Sequence, residues 1–189
     1  MCGRLDVDGE ALNRAVSVEL GLKFCAASNR DLRPTQTVST ITLRDGALRQ
    51  LDTLWGIKPS WATSQLINAK VETVTEKQTF TKAFALHRCV VPCSGFYEWM
   101  DTQKGKVKLR FHRPDGQPLY MGAFWYEGEQ PKVVTLTTVA PLEHQAVHHR
   151  FPVFIDAAQC EAWLKAHPVD AQSMAMEAAG QTFSVERAA

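Results

Sequence analysis

Val90-Val91-Pro92-Cys93-Ser94-Gly95-Phe96-Tyr97-Glu98-Trp99-Met100 opens a run to Val139 that decides the fold. Branched and aromatic residues dominate it, and turn residues interrupt it at short intervals. Val90–Met100, Val107–His112, Leu119–Tyr126 and Val133–Val139 read as strands. Lys104-Gly105 and Pro114-Asp115-Gly116 read as the turns between three of them. Upstream, Thr37–Leu43 and Ala47–Trp55 flank Asp45-Gly46 as two more strands. Leu12, Ala15, Val16 and Leu20 give Glu10–Leu22 a helical period. Thr75–Leu86 reads as a helix with Thr75 as N-cap and Gln78 three residues on. A short helix over Pro141–His149, a strand over Phe151–Ile155, a helix from Asp156 to about Ala166 and a sheet-closing strand over Thr182–Val185 complete the reading. Arg187-Ala188-Ala189 reads as a frayed end. Many closely spaced strands with few helices predict an α+β fold: a largely antiparallel, barrel-like sheet with several short flanking helices, in a single domain over residues 1–189.

Composition agrees with that class. At 189 residues, 45% hydrophobic and 22% charged, the chain is long enough to bury about 70% of its unfolded surface. No apolar stretch approaches the ~18 residues of a membrane helix, and no signal-peptide pattern opens the chain. Five cysteines without framework spacing suggest a reducing, cytoplasmic compartment. Residues 1–110 carry 16 Lys and Arg against 11 Asp and Glu, whereas residues 111–189 carry 5 against 9. A mildly basic first part suits a polyanion and is equally compatible with scattered surface charge.

Four segments carry chemistry. In Met1-Cys2-Gly3-Arg4, loss of Met1 leaves a terminal cysteine whose α-amine and thiol sit on adjacent carbons. With reference pKa values of about 8 and 8.5, both are available near neutral pH. An amine condenses with an aldehyde to an imine, and the thiol then closes a five-membered thiazolidine. Taken alone, Cys2 is as well read as an incidental early cysteine. Trp55-Gly56-Ile57-Lys58-Pro59-Ser60-Trp61 offers two tryptophans that suit base stacking or core packing, followed by Asn68-Ala69-Lys70-Val71-Glu72-Thr73. Glu98 shares a strand face with Phe96, while Tyr97 and Trp99 point the other way. A carboxylate so placed is either ion-paired or raised in pKa and able to move protons. His148, beside Arg150, suits a general acid or a charge at a helix end. His144 with His148, and His87 with Cys89 and Cys93, are loose metal-like spacings without a complete ligand set; no metal or cofactor is expected.

These pieces, with Arg33-Pro34-Thr35-Gln36, Gly95–Trp99, Thr137-Thr138 and His148–Pro152, occur in an order that resembles the SOS response-associated peptidase (SRAP) family. The likeness runs from residue 1 to about residue 165. It implies a sensor and shield of abasic sites in single-stranded DNA, crosslinked through Cys2 as a thiazolidine. By resemblance Cys2, Asn68, Glu98 and His148 are the catalytic residues. Arg4, Pro34, Trp61, Lys70, Trp99, Thr137 and Arg150 are the DNA contacts. The implied protein is a monomer, nucleoid-associated in a bacterium, with single-stranded DNA as partner and replication-associated proteins as possible others. Four positions depart from the pattern: Lys70 stands where arginine is usual, Phe151 where methionine is, His149 where an acidic residue is, and Arg33 where a small residue is. Two other classes stay open: a cysteine peptidase, cutting after Met1 or in other proteins, and a non-covalent single-strand binder.

Overall fold

The structure, a computed structural model, describes residues 2–177 and 181–188. In chain order its elements are β1 (Leu5–Val7), α1 (Gly9–Leu20), β2 (Asn29–Leu32), β3 (Thr37–Arg44), β4 (Ala47–Trp55), β5 (Asn68–Lys70), α2 (Gln78–Leu86), β6 (Arg88–Cys93), β7 (Gly95–Thr102), β8 (Gly105–His112), β9 (Leu119–Tyr126), β10 (Lys132–Val139), β11 (Arg150–Pro152), α3 (Cys160–Lys165), α4 (Pro168–Glu177) and β12 (Ser184–Arg187). The α+β class with mainly antiparallel pairing is what the sequence predicts.

One sheet runs β12-β8-β7-β1-β2. The other is ring-like, because β10 pairs with both β4 and β9 and so joins the two ends of the path β4-β3-β6-β9. The far half of β10 pairs with β5 in parallel and with β11 antiparallel. That one strand therefore closes the ring and carries two short strands beyond it. Its own Val133, Val134 and Leu136 are fully buried.

The predicted continuous strand over Val90–Met100 is a corner. The chain leaves the ring-like sheet at Cys93 and enters the open sheet at Gly95. Ser94 holds the break: its N–H donates to the Asp6 carbonyl at 2.8 Å, and its Oγ accepts from the Asp8 N–H at 3.0 Å. A Cβ on Gly95 would lie 2.6 Å from the Phe111 carbonyl oxygen, so only glycine lets β7 approach β8 there. Past the corner, Leu5 pairs with Phe96, which seats β1 and the residues before it against β7.

Other boundaries also moved. Helix α2 begins at Gln78 rather than Thr75, whose hydroxyl donates to Gln172 of α4 instead of capping. Only one 3-10 turn, Leu142–His144, forms within Pro141–His149. The chain from Asp156 makes a 3-10 turn before α3, and Asp156 accepts from Gln181 rather than capping the helix. Helix α4, which buries little beyond Ala171 and Ala175, carries too narrow an apolar stripe to announce itself. Strand β12 lies at the edge of the open sheet and closes nothing. The expected fraying is also corrected: Arg187 pairs with Leu109, and the Ala188 N–H donates to the Lys108 carbonyl at 3.0 Å. Ala189 lies outside the described residues. No helix of the described residues is long and apolar enough to cross a membrane.

Candidate active site

Cys2 precedes β1 and is fully buried. Its carbonyl accepts from Asn68 Nδ2 at 2.9 Å, and its thiol points to the Arg4 carbonyl at 3.8 Å. Asn68 opens β5 in parallel register with Thr135 of β10. The Thr135 hydroxyl donates to Asn68 Oδ1 at 2.5 Å. With its oxygen engaged by a donor, the Asn68 amide has one orientation, nitrogen toward Cys2.

Glu98, on β7, is 3% exposed and shares the inner face with Phe96, as its spacing predicts. Burial raises its carboxyl above the ordinary range. Burial, and then the charge of Glu98, push the Cys2 thiol up to about 12. This corrects the expectation of a thiol titrating near 8.5: at neutral pH it is protonated, because a thiolate here would be desolvated beside a carboxylate.

His148 is half-buried, and its ring stacks on His149 with centroids 4.5 Å apart. Burial, first, lowers its pKa. Nδ1 lies 3.0 Å from the Arg150 N–H and 3.1 Å from the Arg150 carbonyl, so the backbone serves this nitrogen in either protonation state.

The predicted DNA contacts divide into two kinds. Trp61 is 67% exposed, Lys70 is exposed, and Pro34 is half-buried beside Thr35, whose N–H donates to the Trp55 carbonyl. Arg4 lies 5.6 Å over the ring of Trp99 and 3.5 Å from Asp31, a carboxylate that Lys108 and Arg33 also reach. Thr137 and Arg150 are buried instead. Thr137 donates to the Ala69 carbonyl at 3.4 Å. Arg150 Nη1 and Nη2 donate to the two oxygens of Glu72 at 2.8 and 2.7 Å, and Nη2 also to the Thr137 carbonyl at 2.6 Å. The Arg150 Nε–H is buried with no hydrogen-bond partner among the described residues. Trp55, the first of the two candidate stacking tryptophans, is core: fully buried, with Nε1 donating to the Ile67 carbonyl.

Neither metal-like spacing gathers ligands: among the described residues no group of three or more His, Cys, Asp or Glu could hold an ion. His144 instead stacks on Phe151, and His87 on Trp125. Sequence reading missed Thr135 and Glu72. Thr135 lies 67 positions from Asn68, and Glu72 lies 78 from Arg150, so only the fold reveals either partnership.

The chain matches SOS response associated peptidase (SRAP) over residues 1–188. It belongs to the SRAP family. Relatives include the abasic site processing protein YoqW of Bacillus subtilis, 29% identical over 74% of this chain and 68% of that protein. YoaM of the same organism is 32% identical over 71% and 64%, and YedK of Escherichia coli is 26% identical over 71% and 64%. An X-ray structure of a Bordetella bronchiseptica protein superposes with a TM-score of 0.84 at 20% identity, each chain fully covered. At that identity the likeness bears on the SRAP fold alone. A phage-related protein of the same organism superposes with a TM-score of 0.82 at 22% identity, over 99% of this chain and 94% of its own.

Proposed function

We propose that this SRAP protein captures abasic sites in single-stranded DNA as a thiazolidine on Cys2, after removal of Met1. The observation that carries the reading is the 2.9 Å hydrogen bond by which Asn68 holds the Cys2 carbonyl, beside a buried Glu98. That anchor fixes the one residue whose amine and thiol must meet the same carbon. Arg4, Lys70 and the ring of Trp61 line the strand's path, with Trp99 beneath Arg4, and grip backbone and bases without sequence readout.

The chemistry runs amine first. His148 donates a proton to the ring oxygen of the closed sugar, and the negative backbone of a bound strand favours the charged imidazole this step uses. The Cys2 amine adds to the aldehyde carbon, and loss of one water gives the imine. Glu98 takes the amine proton and returns it. The Cys2 sulfur then adds to the imine carbon, its proton passing to nitrogen. One C–N and one C–S bond form for one water lost. A protonated thiol suits this order, because the sulfur acts last and its addition, within one residue, is the step that closes the ring.

A cysteine peptidase needs a thiolate near neutral pH. The burial of Cys2 acts against that, so peptide cleavage is the weaker reading. The test is the intact mass of protein incubated with an abasic oligonucleotide. The expected product is protein without Met1 plus the strand, minus one water, and no adduct with Cys2→Ala. An undiminished adduct with Cys2→Ala, or none with the wild type, overturns the proposal.

A further inference from the structure

Arg150 donates to Thr137, the β10 residue paired with Lys70 of the Asn68 strand, yet its charge is already engaged. Glu72 takes both terminal nitrogens, bidentate, at 2.8 and 2.7 Å. The carboxylate is itself built in place. Thr138 Oγ1 donates to Glu72 Oε1 at 3.3 Å, and Gln172 of α4 donates to the carbonyls of Val71 and Glu72 at 2.8 and 3.2 Å. The Glu72 side chain remains 29% exposed against 8% for Arg150, so the pair meets solvent on its carboxylate side. Among the described residues the Arg150 Nε–H has no acceptor. A bidentate carboxylate and a phosphodiester compete for the same guanidinium edge. An ion pair with one donor unsatisfied and one partner in contact with water is suited to exchange.

Resting on the single-strand reading above, we infer that Glu72 is a specificity-determining residue. It withholds the Arg150 charge from the DNA backbone, so that a phosphate engages Arg150 only by displacing the Glu72 carboxylate. Glu72 thus keeps the grip on undamaged strands weak and leaves the covalent step to select abasic ones.

The experiment measures binding of a labelled, undamaged single-stranded oligonucleotide by anisotropy across a salt series, for wild type, Glu72→Gln, Glu72→Asp and the double variant Glu72→Gln/Arg150→Gln. Glu72→Gln is expected to bind threefold or more tighter at low salt, with the log–log salt slope steeper by about 0.7 for one released charge. Glu72→Asp, too short to hold both nitrogens, is expected to tighten binding with net charge unchanged, and it serves if Glu72→Gln melts early. The double variant is expected to return to the wild-type slope. Unchanged or weaker binding in a folded Glu72 variant overturns the inference. So does a gain that persists in the double variant, which would be the general effect of a lost negative charge. Abasic capture by the wild type, followed in parallel, separates the two levels: capture with unaltered Glu72 variants sinks only this inference, and absence of capture sinks both.

Discussion

Two buried arginines, Arg88 and Arg150, are each 6% exposed and are held in opposite ways. Among the described residues Arg88 meets no carboxylate. Its guanidinium donates to the carbonyls of Phe84 and Ala85 in the last turn of α2, and to those of Trp163, Leu164 and Ala166 at the end of α3. It lies against the rings of Phe84 and Trp163. The last carbonyls of a helix lack internal partners and carry the negative end of its dipole. One cation thus caps two helices, and backbone that cannot leave neutralises it. Arg150 is neutralised by a side chain that can. The first arrangement is permanent architecture. The second can change partner, and it sits beside the residues that hold Cys2.

Arg88→Met is the largest expected break in that comparison. The apolar stem is kept, but the carbonyls at two helix ends lose their donors, for a loss of about 3–5 kcal/mol. At 2–4 °C per kcal/mol for a chain of this size, the Tm falls by roughly 10 °C. Abasic capture per folded molecule, assayed well below the transition, stays at the wild-type rate. A loss under about 1 kcal/mol in calorimetry would mean that water reaches those carbonyls, and the contrast would fail.

Arg150→Gln reverses the pattern. Glu72 keeps contact with solvent, so stability falls by only about 1–2 kcal/mol. Capture at subsaturating protein falls about tenfold, equivalent to about 1.4 kcal/mol, because the Glu72 carboxylate is left unneutralised and repels the strand. An Arg150→Gln protein that melts as early as Arg88→Met while capturing normally would make Arg150 a second structural clamp.

The candidate site residues sit in short local motifs along the chain. Residue by residue, Cys2, Glu98 and His148 stay open between a chemical and a bland reading and Asn68 stands out only through the family's motif order, whereas period two does place Glu98 on one strand face with Phe96. What is illegible is anything made by pairing across the fold. Arg88 falls between the predicted helix ending at Leu86 and the predicted strand starting at Val90, and nothing local marks it, since its acceptors are backbone carbonyls up to 78 residues away. The Cys93–Gly95 corner hides inside an apolar run because the reason for it, the Phe111 carbonyl, lies on another strand. Short strands such as β1, β2 and β5 have too few residues to show a period.

Two carboxylates, Glu98 and Glu72, are shifted in opposite directions. Burial raises Glu98. Burial would raise Glu72 too, but the hydrogen bonds from Arg150 outweigh it and hold its carboxyl below the usual range. A depressed folded pKa gives stability that is present above the unfolded value of about 4.3 and is lost as pH falls through the folded value. A raised one does the reverse: ionised Glu98 costs stability at neutral pH, and the cost disappears on acidification toward 4.3. Glu98→Gln is therefore expected to raise the Tm at pH 7, by an effect on the order of 1 kcal/mol, with the gain vanishing below about pH 4. The same variant loses capture. A Tm at pH 7 equal to or below the wild type would show that the ionised carboxylate is well compensated where it lies.

The smallest expected effect tests how finely the Cys2 anchor is set. Thr135→Val keeps the shape of the side chain and removes the donor that orients Asn68. The amide can then turn its oxygen toward the Cys2 carbonyl, which repels it, so a fraction of molecules lose the anchor. Capture should slow by about three- to tenfold, with roughly 1 kcal/mol of stability lost for one buried hydrogen bond. Thr135→Ser, which restores the hydroxyl while leaving a methyl-sized gap, should recover most of the rate and little of the stability. Rate and stability then follow different variants, which a packing defect cannot produce. If Thr135→Ser is as slow as Thr135→Val, restoring the hydroxyl does not restore the rate, and the 2.5 Å contact with Thr135 is not by itself what orients Asn68.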